Sequence, residues 1–282
     1  MSHDANTGSA GKTGGFSLGR LLHSPLALPL IGLITVSVLM GLASDNFFSL
    51  NNIMNVLRQV SVVGILAVGM SFVILTGGID LSVGAVMALV GTLSAGMMVN
   101  MGLPAPVALL VGLLIGLGIG LANGVLVAWG RMPAIIVTLA TMGMARGLGL
   151  IYSGGYPISG IPSWISWFGV GRIGVVPVPV IVMVLIYAVA WVLLQRTAFG
   201  RHVYALGGNE TAARLSGVKT QRVKLAVYGI SGLTSALAAV ILTGRLMSGQ
   251  PNAGQGFELD AIAAVVLGGT AISGGRGLIL GT

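Results

Sequence analysis

Few residues in this chain of 282 are of types that carry chemistry, and most stand in patterns that do not complete. Gly11-Lys12-Thr13 has the ending of a phosphate-binding loop, but that pattern needs Gly five residues earlier, where Asn6 stands. Without a strand before it and a helix after it, the cradle of backbone N–H groups cannot form. Any nucleotide chemistry therefore belongs to a partner. Gly229-Ile230-Ser231-Gly232 resembles the G-x-S-G of a membrane serine protease, yet such a serine needs a general base within reach. The histidines, His3, His23 and His202, fall in tail or loop positions, so helix packing by small residues is the better account of this motif. Cysteine is absent, which removes disulfides and thiolate metal sites, and no cofactor or metal is expected.

Ionisable residues inside apolar stretches are the stronger candidates, because charge is costly in lipid. Asp80 lies in Gly77-Gly78-Ile79-Asp80-Leu81-Ser82-Val83-Gly84, just ahead of an apolar run. The position suits a carboxylate that accepts backbone N–H groups at a helix start, with the paired glycines allowing a sharp turn. A direct role in a substrate or ion path is the alternative. Arg146 sits within an apolar stretch and either snorkels to the interface or needs a polar partner. Glu258 and Asp260 open the last apolar run, where the positive end of a helix dipole favours carboxylates.

The elements that position these residues are membrane spans. Hydrophobic residues make up 55% of the chain and charged residues 7%, too few to cover a soluble surface. The mean hydropathy of +1.00 agrees. Apolar runs near the ~20 residues of a bilayer core predict spans at about 25–43, 59–77, 82–100, 105–128, 133–152, 177–195, 223–244 and 258–275. The expected fold is all-α, a polytopic helical membrane bundle of about eight spans over residues 25–282. A flexible cytoplasmic tail is expected over residues 1–24, rich in Gly, Ser and Thr. Gly112, Gly116, Gly120 and Gly124 form a small-residue stripe for close helix packing, within one subunit or between two.

The net charge of +8 reads as cytoplasmic-loop cations, not as a nucleic-acid surface. With the N-terminus inside, the cytoplasmic segments hold Lys12, Arg20, Arg131, Arg196, Arg201, Arg214, Lys219, Arg222 and Lys224, against Arg58 and Arg172 outside. That asymmetry sets the expected orientation. The basic loop over about 196–224 contains a short helix marked at both ends. Asn209 suits the N-cap, Glu210 the first turn and Gly217 the position past the end. Two turns are unstable alone in water, so this helix must pack on something.

At these motifs the chain resembles the permease subunits of bacterial ATP-binding-cassette importers for monosaccharides, the ribose type most closely. The resemblance rests on Asn46-Phe47-Phe48, Ile74 to Gly84, Gly200 to Glu210, Ala213 to Gly217, Gln250 to Gly254 and Glu258 to Thr270, collinear from about residue 46 onward. It implies an inner-membrane permease, itself not an enzyme, that pairs with a second permease subunit, cytoplasmic ATPase subunits and a periplasmic sugar-binding protein. The segment with Gly208, Asn209, Glu210, Ala212, Ala213, Arg214, Ser216 and Gly217 then corresponds to the coupling helix that docks on the ATPase. The family carries further spans past Gly268–Gly277, so the resemblance implies a C-terminally truncated chain.

Alternating access is the mechanism implied, with ATPase closure moving the coupling helices and rocking the spans around a central path. A sugar needs a wet, weakly polar corridor, for which Gln59, Thr76, Asn123, Thr138 and Thr141 are candidates; the same residue types also bond packed helices. Arg58, Arg172 and Arg245 are candidates to meet acidic residues of a binding protein. The competing reading is a proton- or sodium-coupled transporter using Asp80.

Overall fold

The structure, a computed structural model, describes residues 27–282, with side chains from residue 30. The tail expected over 1–24, with Gly11-Lys12-Thr13, lies outside the described residues. In chain order the helices are α1 Ala27–Ala43, α2 Leu50–Leu75, α3 Val83–Val99, α4 Ala105–Ala128, α5 Ala134–Ser153, α6 Ser166–Val170, α7 Val178–Arg196, α8 Ala198–Gly208, α9 Glu210–Leu215, α10 Thr220–Leu246 and α11 Phe257–Leu267. Five of them, α2, α4, α5, α7 and α10, are long and apolar enough to cross a membrane; α1 and α3 are shorter apolar helices.

Local chemistry marks the ends. The Ser49 side chain accepts the Asn52 N–H, and this cap starts α2 nine residues before the predicted span at 59. Asn51, Asn52, Asn55, Arg58 and Gln59 dilute the hydropathy there without stopping the helix. Prolines Pro104, Pro133 and Pro177 stand at the N-caps of α4, α5 and α7, where a missing N–H costs nothing. Gly154 ends α5 in the left-handed conformation.

α10 is the central helix and packs on α4, α2, α3 and α6. In lipid the hydrophobic effect does not drive helices together, so close van der Waals contact must. The α4 stripe supplies it within the chain. A methyl group at Gly116 would stand 2.7 Å from the Gly232 carbonyl oxygen, and one at Gly124 would stand 2.9 Å from Leu225 Cα. Gly120 and Gly232 face each other backbone to backbone. Around this seam Ile65, Leu66, Met70, Ile74 and Met87 are fully buried. By contrast α1 is exposed nearly throughout, Leu42 to 82%.

Four two-residue strands complete the fold. β1 (Ile158–Ser159) pairs antiparallel with β4 (Ser248–Gly249), Ile158 opposite Gly249, and β2 (Arg172–Ile173) with β3 (Val176–Pro177). The β1–β4 pair ties the α5–α7 connection to the chain that leaves α10.

The last predicted span takes an unexpected form. From β4 the chain runs without helix along α3: Gly249 lies against Gly91 and Thr92, and Gly254 against Gly84 and Met87. Only then does α11 begin, and its 11 residues rise about 16 Å, half a bilayer core. A helix over 258–275 is therefore corrected to one that stops at Leu267. The breakers are Gly269, Gly274 and Gly275, at φ of 89°, 83° and 73°, values that side chains disfavour. The Gly275 N–H then donates to Leu75 O at 3.0 Å, at the end of α2.

Candidate functional site

Polar chemistry gathers in three places: the break between α2 and α3, the α8–α9 unit, and the stretch before α11. At the first, Asp80 is 1% exposed. Its Oδ1 accepts from Ser82 N (2.9 Å) and Ser82 Oγ (2.6 Å), and its Oδ2 from Ser231 Oγ (2.7 Å). Ser82, not Asp80, is the N-cap residue of α3. The chain of bonds continues: Asn123 Nδ2 donates to Ser82 Oγ (3.2 Å), and Thr141 Oγ1 to Asn123 Oδ1 (2.6 Å). Thr138 Oγ1 donates to Ile79 O at 3.1 Å. The α2–α3 break, α4, α5 and α10 are thus linked through one buried network, where each bond is worth more because leaving its partner unpaired is costly. Ser231, assigned only a packing role from the sequence, is the member that was missed. No local spacing relates it to Asp80, 151 residues away.

The second place is built by caps. Thr197 Oγ1 accepts Gly200 N at 3.3 Å to open α8, and Asn209 Oδ1 accepts Ala212 N at 2.9 Å to open α9. Gly217 follows α9 at φ 85°. Ala213 is buried against the protein, whereas Gly208, Asn209, Ala212, Arg214, Ser216 and Gly217 are exposed. Leu215, 85% exposed, extends this outward face and was not singled out from the sequence. Glu210 accepts from Arg214 Nη2 at 3.2 Å and from Lys224 Nζ at 2.8 Å, which fastens α9 to the first turn of α10. Partial burial pushes the Glu210 carboxyl upward, but the hydrogen bonds and charges of Lys224 and Arg214 outweigh this and hold it below the usual carboxylate range. Lys224 joins the site across a turn, a relation that no helical period reveals.

The α8–α9 unit is seated on backbone. Gly207 lies against Leu75 O and Gly275 N, so closely that a side chain would collide with both. Tyr204 Oη donates to Gly277 O at 3.0 Å. Beside α9, a cavity of about 540 Å³ opens between the α2–α3 break, the α4–α5 turn and the start of α10. Thr76, Gly77 and Gly78 line it, with Arg131, Glu210, Arg214, Lys224 and Tyr228.

At the third place, Arg146 Nη1 donates to Pro251 O (3.0 Å) and Ala253 O (2.9 Å), holding the non-helical stretch against α5. Glu258 Oε1 accepts Gly256 N at 3.3 Å, and its Oε2 lies buried near Gly84. Asp260 is exposed. Of the corridor candidates, Asn123, Thr138 and Thr141 are buried in the network, Thr76 lines the cavity and Gln59 is exposed on α2. Among the described residues no group of His, Asp and Glu is placed to hold a metal ion.

Apolar helices of spanning length, a seam of small residues and interior polar groups that bond to one another or to backbone define a multi-pass helical membrane protein. The family model described as branched-chain amino acid transport system / permease component matches residues 52–282, and the chain belongs to that family. Similar proteins include the ribose import permease protein RbsC of Bacillus subtilis, 54% identical over 256 residues that cover 90% of this chain and 79% of that protein. The ribose import permease protein RbsC of Haemophilus influenzae is 46% identical over 279 residues, covering 96% and 84%. The xylose transport system permease protein XylH of Escherichia coli is 35% identical over 331 residues, covering 95% and 84%. No solved structure matches.

Proposed function

We propose that this chain is the membrane-spanning subunit of an ATP-binding-cassette importer that carries a monosaccharide, ribose or a related pentose, across the bacterial inner membrane. The 54% identity to a ribose import permease over 90% of the chain carries the reading. Cytoplasmic ATPase subunits supply the energy, a periplasmic binding protein delivers the sugar and a second permease subunit completes the membrane part. The N-terminus is cytoplasmic. Eight crossings result when the segment from Ser248 to Gly275 is counted as one broken crossing, since it travels from β4 to the inner end of α2.

α9 is the coupling helix. Its outward face of Ala212, Leu215 and Ser216 is free to meet a groove, and Lys224 transmits its motion to α10. Of the outer cations, Arg172 is exposed and Arg245 half-buried, which leaves them to meet an acidic surface on the binding protein, whereas Arg58 is buried and donates to Asn55 Oδ1 at 2.7 Å. The corridor runs past the network of Asn123, Thr138 and Thr141, whose bonds must exchange when it opens.

The test is reconstitution of the chain with its cognate ATPase and binding protein in proteoliposomes. Wild type should take up pentose with ATP, and Ala213→Trp or Glu210→Lys should hydrolyse ATP without uptake. Uptake that survives both substitutions, or labelling of Thr211→Cys in intact cells by an impermeant reagent, defeats the assignment.

A further inference from the structure

The cavity beside α9 holds two groups that the transport reading does not use, Arg131 and the Tyr228 hydroxyl. Arg131, Arg214 and Lys224 stand against a single acid, Glu210, which already holds both Arg214 and Lys224. Arg131 is left as the surplus charge, with no ion pair or hydrogen bond to its guanidinium among the described residues. It sits at φ 54°, a conformation uncommon without glycine. Tyr228 lines the same space and is 1% exposed, and its hydroxyl is buried against Gly78 with no hydrogen-bond partner. Asp80 is not part of the lining, and its carboxylate is engaged by three donors. The lining also has an apolar part, Val127, Ala128, Met132 and Pro133, contributed by the end of α4 and the turn that carries Arg131.

We propose that this cavity binds a phosphate-bearing anion. The available groups, Arg131, Lys224, Arg214 and the Tyr228 hydroxyl, are donors, and they match a ligand rich in acceptors and negative charge. Gln221 and Thr76 also line the cavity and can accept as well as donate, but the charged groups left over there are cationic. Basic pockets between membrane helices at the cytoplasmic side take anionic lipid headgroups, and the apolar wall would accommodate the glycerol and first acyl carbons. Free phosphate satisfies the same donors without using that wall.

The test uses the purified chain in detergent, measured by native mass spectrometry and by thermal shift with phosphatidylglycerol, phosphatidylcholine or inorganic phosphate. Wild type should retain phosphatidylglycerol over phosphatidylcholine. Arg131→Gln and Tyr228→Phe should each weaken that binding about tenfold, while Arg222→Gln, an equal loss of charge outside the cavity, leaves it unchanged. Tyr228→Phe removes a hydroxyl that has no partner, so its ligand-free melting temperature should not fall. Competition by inorganic phosphate identifies the soluble source, and binding that resists phosphate identifies the lipid. Equal losses in Arg131→Gln and Arg222→Gln, undiminished binding in Tyr228→Phe, or no binding of either ligand overturns the site.

Discussion

Asp80 and Glu210 each stand at a helix break and each collect three or fewer donors, yet they solve opposite problems. Asp80 is buried and held by neutral donors from Ser82 and Ser231, with no cation among its partners. Glu210 is 38% exposed at its side chain and held by two cations, Arg214 and Lys224. A buried carboxylate fixed by hydroxyls has no alternative partner and acts as a rigid joint. A wet carboxylate between two cations exchanges them with water at little cost and acts as an adjustable strap. The difference teaches that stability resides in the interior joint, whereas motion belongs to the strap.

The contrast is broken most severely at Asp80. Asp80→Ala strips acceptors from two hydroxyls and a backbone N–H, and should cost about 3 kcal/mol or more, read as a lower melting temperature in detergent. A melt equal to wild type would mean that water fills the gap and the joint is not rigid. Ser231→Ala removes a single donor and should cost about 1–2 kcal/mol in the same assay. Because it leaves Ser82 in place, a loss as large as that of Asp80→Ala would show that the joint depends on α10 alone.

At the strap, Lys224→Gln should change the melt by less than about 1 kcal/mol yet lower the coupling of ATP hydrolysis to uptake several-fold in proteoliposomes. A large stability loss with coupling intact would reverse the roles drawn here. The smallest effect is that of pH. A carboxyl held below its unfolded value contributes stability in full above that value, about 4.3, and loses it as pH falls through the folded value. Protection factors of the α9 amides, which remove the intrinsic pH dependence of exchange, should therefore be flat from about pH 8 to about pH 5 and fall below that, a fall absent in Glu210→Gln.

Short-range features of the fold were legible in the sequence, and long-range ones were not. The α9 caps at Asn209 and Gly217 are local chemistry, and the structure has them. The stripe at Gly112, Gly116, Gly120 and Gly124 announces a close neighbour, but nothing in it names α10 as that neighbour. Hydropathy joined residues 258–275 into one span because glycine is nearly neutral on such scales, although its backbone freedom is what ends α11. The start of α2 was hidden by the opposite error, since polar Asn51, Asn52 and Arg58 lower hydropathy without opposing helix. Within the candidate site, Asp80 was visible as a charge in an apolar run, while Ser231 and Lys224 became partners only through folding.

The meeting of Gly207, Leu75 and Gly275 carries one last implication. Most helix contacts are cushioned by side chains that change rotamer when pushed. Here main chain bears directly on main chain, so the joint has no slack, and any displacement delivered to α8 from outside the membrane must reach the end of α2 at nearly full amplitude.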